Sequence, residues 1–429
     1  MIIRRVPTDF VVTEHLAAGA IEGLEPSGAS AVRSGGELAV YRLTKTSLTT
    51  PEAAGLFSQA LARAMKAKGN TISWAGLKDK HAYTTQHVSV AFGRGPVKRE
   101  SVAYELSGPN WSAELAGWCS EPLSAAAIER NDFEITIRSM SRPDCKLLDS
   151  RADSLRDPAG ETAEGSTLVF TNYFGDQRFG SARHGQGFAG PFLVQGRFEE
   201  ALKLLVATPA RKDSGKRRLF TRVCAANWGN WKVILDSSPR CPDRAAIETI
   251  ARMRTTKSGE DLFREGFTSL PNLVQTLAVE AFQSHLWNAV ARALVSSLEG
   301  LYLLSAEDDF GAMVFAPTPH IPPAWQTLQV PMLSPSTKLE APWGGLVAPV
   351  LKEAMGSEAD VGLESLVIPG LRRPAFGDAM RPLLARATGF SMSDPGRDEL
   401  GSQLHLCRTA VFSLPRGAYA TTLLRALGQ

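Results

Sequence analysis

Apolar positions recur with a period of two near both ends of the chain and with a helical period between them. Phe10-Val11-Val12-Thr13-Glu14 reads as a strand, and residues 17–36, rich in glycine, serine and alanine, as a loop. Residues 37–45 alternate polar and apolar, which predicts a half-buried strand. Thr49-Thr50-Pro51-Glu52 then has the marks of a helix start: a threonine cap, proline in the first turn, and a glutamate placed to close a capping box. The stripe of that helix is expected at Phe57, Leu61, Ala64 and Met65, and its end at Lys66, Lys68 and Gly69. Short apolar runs at 71–75 and 87–92 predict strands on either side of a bend at Gly76, and 131–138 is the clearest strand after them. Strands mixed with a few helices, without regular alternation, predict an α+β mixed sheet rather than a doubly wound one.

The pattern changes near residue 150. A polar segment at 157–165 is a candidate domain boundary. Beyond it, 198–206 reads as a short helix and 274–298 as a long one, whereas frequent prolines leave 317–349 irregular. A second boundary is expected near 369–374, followed by a strand at 405–412 and a closing helix at 418–427. The expected organisation is one domain built from both chain ends, 1–165 plus 376–429, with 166–375 inserted between them.

With 429 residues, 44% hydrophobic and 21% charged, the composition is that of a globular protein large enough for two or three domains. The net charge of +3 permits a nucleic-acid partner without requiring one. Five scattered cysteines, with no Cys-x-x-Cys and no zinc-type histidine spacing, suggest reduced thiols and a cytoplasmic location. The first residues lack the apolar region of a signal peptide, and no apolar run approaches a membrane span of about 18 residues.

Several segments carry candidate chemistry. In Gly76-Leu77-Lys78-Asp79-Lys80-His81-Ala82 a carboxylate stands between two lysines at a bend between strands. Neighbouring cations favour its ionised form, as a nucleophile needs, although a solvated turn has the same composition. Asn131 and Phe133, two apart on a strand, share a face that suits either a base pocket or an ordinary sheet surface. Thr171-Asn172-Tyr173-Phe174-Gly175-Asp176-Gln177-Arg178-Phe179-Gly180 crowds aromatics, glycines, amides and an arginine together, as a site-lining or interdomain loop would. Arg211, Lys212, Lys216, Arg217, Arg218 and Arg222 cluster around Phe220, with Trp228 and Trp231 close behind, a mixture suited to RNA phosphates and unstacked bases. Gly185-Gln186-Gly187-Phe188-Ala189-Gly190 matches a dinucleotide fingerprint in letters only, since basic residues precede it and Pro191 follows. Neither a P-loop, a zinc-peptidase helix nor a hydrolase elbow is present.

Taken together these segments resemble the TruD family of tRNA pseudouridine synthases. The resemblance rests on 4–14, 76–82, Asn131-Asp132-Phe133, 172–180, and Ala281-Phe282-Gln283-Ser284-His285-Leu286-Trp287-Asn288 paired with 414–425. It implies a pseudouridine-synthase mixed-sheet domain made from both chain ends and an inserted TRUD domain. It also implies isomerisation of a tRNA uridine, position 13 by family default, with other RNA uridines or non-catalytic RNA binding as alternatives. Asp79 would be the catalytic aspartate, Phe133 the aromatic stacked on the target base, and Asn131 a residue orienting Asp79. Arg4 stands where the family often has lysine, which keeps the charge and changes its geometry. Lys78, Lys80, Asn172, Phe174, Arg178 and Phe179 are expected to contact RNA. No metal or other cofactor and no obligate protein partner is expected, and the chain is expected to be a monomer.

Overall fold

The computed structural model describes residues 1–23, 38–66, 69–93, 101–162, 165–182, 186–210, 213–298, 300, 302–356, 361–402 and 404–429. Most of the 17–36 segment, Lys68, Gly185, Arg211 and Lys212 lie outside them. The described chain divides into two compact units. The first comprises Met1–Val169, Ala385–Ala420 and Leu427–Gln429, and the second Phe170–Leu384 and Thr421–Ala426.

In chain order the first unit contains β1 (Phe10–Leu16), β2 (Glu22–Gly23), β3 (Leu38–Thr46), α1 (Thr50–Ala64), β4 (Thr71–Trp74), β5 (Tyr83–Ala91), β6 (Glu105–Gly108), β7 (Trp111–Cys119), β8 (Ile128–Met140), α2 (Arg142–Leu155) and β9 (Arg156–Thr162). Next comes β10 (Gly165–Thr171), on which the division between units falls. Among the described residues the strands form a 13-stranded sheet in the order β2-β7-β3-β5-β1-β8, then the late strands and β10-β9. β1 runs parallel to β5 and antiparallel to β8, so the sheet is mixed, as expected of an α+β chain.

The capping box forms as the sequence predicts: the Thr49 hydroxyl accepts from the Glu52 N–H, and Glu52 accepts from the Thr49 N–H at 2.8 Å. The buried stripe of α1 differs from the expected one. Ala53, Ala54, Phe57 and Leu61 are buried, whereas Ala64 is exposed. Ala53, Phe57 and Leu61 pack with Ala39, Tyr41 and Leu43 of β3 and Val88 and Val90 of β5. In the segment expected as a polar boundary, Asp157, Thr162 and Gly165 take part in the β9–β10 strand pair.

The second unit is largely helical, with α3 (Ala189–Val194), α4 (Phe198–Val206), α5 (Gly215–Ala226), α6 (Trp231–Ser237), α7 (Arg244–Met253), α8 (Gly259–Thr268) and α9 (Asn272–Ser296). It continues through the hairpin β11 (Leu304–Asp308) and β12 (Gly311–Phe315), β13 (Gln329–Pro331), α10 (Val347–Met355) and β14 (Met380–Pro382). Gly190 lets α3 approach α9 closely, since a Cβ there would stand 2.4 Å from the Phe282 side chain. Helix packing accounts for this glycine of the fingerprint-like run.

The chain then re-enters the sheet through β15 (Leu384–Met392), β16 (Gly396–Arg397) and β17 (Leu406–Pro415), and ends in α11 (Ala420–Ala426). β17 pairs with β8 over nearly its whole length, so the terminal strand lies at the centre of the sheet.

Candidate active site

Strand register brings the chemistry of the first unit onto one sheet face. Glu14 of β1 pairs with Asn131 of β8, and Val12 with Phe133; on the other side of β8, Leu414 and Phe412 of β17 oppose the same two residues. Alternation then puts Phe10, Val12, Glu14, Asn131 and Phe133 on a common face. On β3 the same reasoning places Lys45 in line with Ala39, Tyr41 and Leu43, at the end of the face that α1 covers.

Asp79 lies in the segment joining β4 to β5, next to the N-terminus of α1. Its Oδ2 is 2.9 Å from Nη2 of Arg4, and its Oδ1 accepts the His81 N–H at 2.9 Å. The side chain is only 14% exposed, which sets it apart from a solvated turn. The main chain of the segment is tied down as well. The Lys78 N–H donates to the Thr50 hydroxyl at 3.0 Å, and Nζ of Lys45 donates to the Asp79 carbonyl at 2.8 Å.

Lys78 points inward. Its Nζ is 2.8 Å from Oε2 of Glu14 and donates to Oδ1 of Asn131. Glu14 is buried and also accepts the His87 N–H at 2.9 Å. Burial alone would raise the Glu14 carboxyl, but hydrogen bonds from His87 and the charge of Lys78 hold it below its ordinary 4.5. Lys45, fully buried, is pushed down to about 8 by desolvation, against the attraction of Asp79.

An aromatic run continues from the ion pair. The Arg4 guanidinium lies 4.4 Å from the centre of the Phe10 ring. Phe10 meets Phe133 edge-on at 6.2 Å, and Phe133 stacks on Phe412 at 5.4 Å. Phe133 itself is half-buried.

In the second unit the aromatic-glycine segment is mostly interior. Asn172 is buried, with its Oδ1 accepting from Nη2 of Arg381 at 2.7 Å. Phe174 lies under the Arg381 guanidinium at 3.9 Å and edge-on to Trp287. Phe179 is fully buried beside Phe188 and Phe310. Arg178 reaches Glu280 and Ser284, each at 3.0 Å.

The sequence profile of the family described as tRNA pseudouridine synthase D (TruD) matches residues 1–309. The chain belongs to the TruD family. It is accordingly a pseudouridine synthase, an isomerase. It is 26% identical over 429 residues to the tRNA pseudouridine synthase D of Aquifex aeolicus, covering 99% of this chain and 97% of that protein. It is 24% identical over 401 residues to the probable tRNA pseudouridine synthase D 1 of Methanococcus maripaludis, covering 91% and 92%. The crystal structure of the putative TruD from Methanosarcina mazei has a similar fold, with a TM-score of 0.63 at 24% identity over 99% of this chain and 92% of that one.

Of the residues singled out from the TruD resemblance, Arg4, Lys78, Asp79, Asn131 and Phe133 gather on one side of the first unit's sheet. Asn131, expected to orient Asp79, accepts from the ammonium of Lys78, the residue before Asp79. Lys78 was expected to contact RNA, but its ammonium is engaged by Glu14 and Asn131, and its side chain is 9% exposed. Lys80 is exposed, 3.6 Å from Glu52. Asn172, Phe174 and Phe179, also expected at the RNA, are built into the packing of the second unit, where burial leaves them no face to offer. Among the aromatics of the basic cluster, Phe220 is buried, whereas Trp228 is half-buried and packs against Trp231 and Phe263. Lys216 and Arg222 are exposed. Two charged residues to which the sequence reading assigns no role, Lys45 and Glu14, are bonded to the segment that carries Asp79. Parity is the signal that finds them, because each continues an inward-facing apolar row.

Proposed function

We propose that this protein converts a uridine of tRNA, at position 13, to pseudouridine with Asp79 as the nucleophile. The observation that carries this reading is the ion pair between Asp79 and Arg4, largely withdrawn from solvent and joined through Phe10 to the half-buried ring of Phe133. The reaction breaks the bond from uracil N1 to ribose C1′, turns the base, and joins C1′ to C5. The C5 proton is given up and N1 gains one, so atoms and electrons balance within the nucleotide. It calls for an ionised nucleophile and a base removed from its stack.

The Arg4 guanidinium sets a positive charge against the carboxylate, and the His81 N–H fixes its rotation. Attack at C1′ and addition to C6 both begin from that oxygen pair. Phe133, braced by Phe412, offers its face to the extruded uracil. Base stacking of this kind contributes about 1–3 kcal/mol. Exposed Lys80, Lys216 and Arg222 serve the phosphates. In this reading the first unit is the catalytic domain and the second the inserted TRUD domain, close to the division at 165 and 375 drawn from the sequence.

The test is to incubate an unmodified tRNA transcript with the protein and map pseudouridine at nucleotide resolution. The reading requires a single new pseudouridine at position 13 that Asp79→Asn does not form. Modification elsewhere overturns the site, and tight tRNA binding with no isomerised uridine overturns the activity.

A further inference from the structure

We propose that Lys45 is a positioning residue for the isomerisation, tying the main-chain carbonyl of Asp79 to the sheet core so that the carboxylate is held against Arg4. This rests on Asp79 being the nucleophile and adds a group that the resemblance to the family did not single out.

The position is costly for a lysine. Ala39, Tyr41 and Leu43 precede it on the same buried face of β3, and Lys45 itself has no exposed surface. A methionine would fill similar volume without carrying a charge out of water. The ammonium reaches the backbone of Asp79, at 2.8 Å, rather than ending on a carboxylate. Residues 75–80 contain no helix or strand, so their shape depends on such ties. Thr50 holds the Lys78 N–H, Glu14 and Asn131 hold the Lys78 ammonium, and Lys45 holds the Asp79 carbonyl. Removing the last takes away the tie between this peptide and the sheet core, and a displacement of about 1 Å at a reacting group costs on the order of a hundredfold in rate.

The charge contributes as well as the hydrogen bond. The groups acting on Lys45 are Asp79 and Lys78 from this segment and Glu52 from α1; its strand neighbours, Thr84 on β5 and Trp111 on β7, are uncharged. Burial sets its proton loss at about 8. Above that pH a charge-assisted bond becomes a neutral, weaker one, and a cation beside Asp79 disappears.

The experiment measures single-turnover rate against pH on an unmodified tRNA transcript that the wild-type protein isomerises, with tRNA affinity measured separately. Wild type is expected to lose rate as pH rises through about 8. Lys45→Met is expected to be roughly 10–100-fold slower with tRNA affinity unchanged within about twofold, the split that marks lost positioning rather than lost binding. Lys45→Arg, which keeps a cation and a donor, is expected to recover part of the rate and to lose the fall near 8. A purely structural lysine would lower the folded fraction without moving the profile of the folded molecules. A folded Lys45→Met at the wild-type rate overturns the proposal. So does a wild-type profile flat through 8, a measurement that needs no variant to fold. Asp79→Asn is run alongside: if it turns over, the nucleophile reading fails; if it is inactive while Lys45→Met is normal, only the role of Lys45 fails.

Discussion

The Arg4 guanidinium sits between Asp79 and Phe10, 2.9 Å from the carboxylate oxygen and 4.4 Å from the ring centre. One side chain from the start of the chain therefore touches both the proposed nucleophile and the aromatic run leading to Phe133. Arg4→Met is expected to lower the single-turnover rate about 10–100-fold by removing that charge. Arg4→Lys should retain more activity, because a compact cation restores the charge without the planar contact to Phe10. Equal rates for the two variants would show that charge is not what Arg4 supplies.

Phe133 is half-buried, edge-on to Phe10 and stacked on Phe412, and in the proposed reading it stacks on the target base. Phe133→Ala is expected to cost about 1–3 kcal/mol in transition-state stabilisation, read as the drop in kcat/KM. Thermal unfolding of the same variant is the control. A large fall in Tm with normal turnover of the folded protein would make this residue a packing element only.

Glu14 and Lys78 form a buried pair whose members depend on each other. Glu14→Gln leaves the ammonium without its counter-charge and is expected to cost about 3–5 kcal/mol of stability in denaturant unfolding. The pH dependence follows in sign. The folded state holds the Glu14 carboxyl below 4.5, so its contribution is full above that pH and is lost as pH falls through the lowered folded value. The variant should lack this part of the acid sensitivity.

Phe179 belongs to the segment that composition marked as a lining loop, yet it is fully buried between Phe188 and Phe310. Phe179→Ala is expected to destabilise by about 3–5 kcal/mol through the cavity it leaves. Filter binding of the folded fraction should give wild-type tRNA affinity. A weaker affinity at full stability would return Phe179 to the RNA surface.

What could be read from the sequence was local. The Thr49–Glu52 capping box is written in four consecutive residues, and the alternation before it fixed β3, because neither depends on distant partners. Segment 157–165 looked like a boundary through its proline, glycines and acids. In the fold Gly160 is demanded by a close strand, since a Cβ there would stand 2.6 Å from Thr167. The crowding of residues 172–180 was visible, but whether those aromatics faced inward depended on Arg381, Trp287 and Asn288, all remote in sequence. Lys45 passed as one more polar residue in an alternating strand, although its parity put it on the apolar side.

The central claim is that the Asp79 carboxylate attacks the target nucleotide, and Asp79→Asn tests it most directly. The amide keeps the size and removes the charge, so tRNA affinity should stay near wild type while single-turnover pseudouridine formation becomes undetectable. A folded Asp79→Asn protein that forms pseudouridine at the wild-type rate would contradict the account.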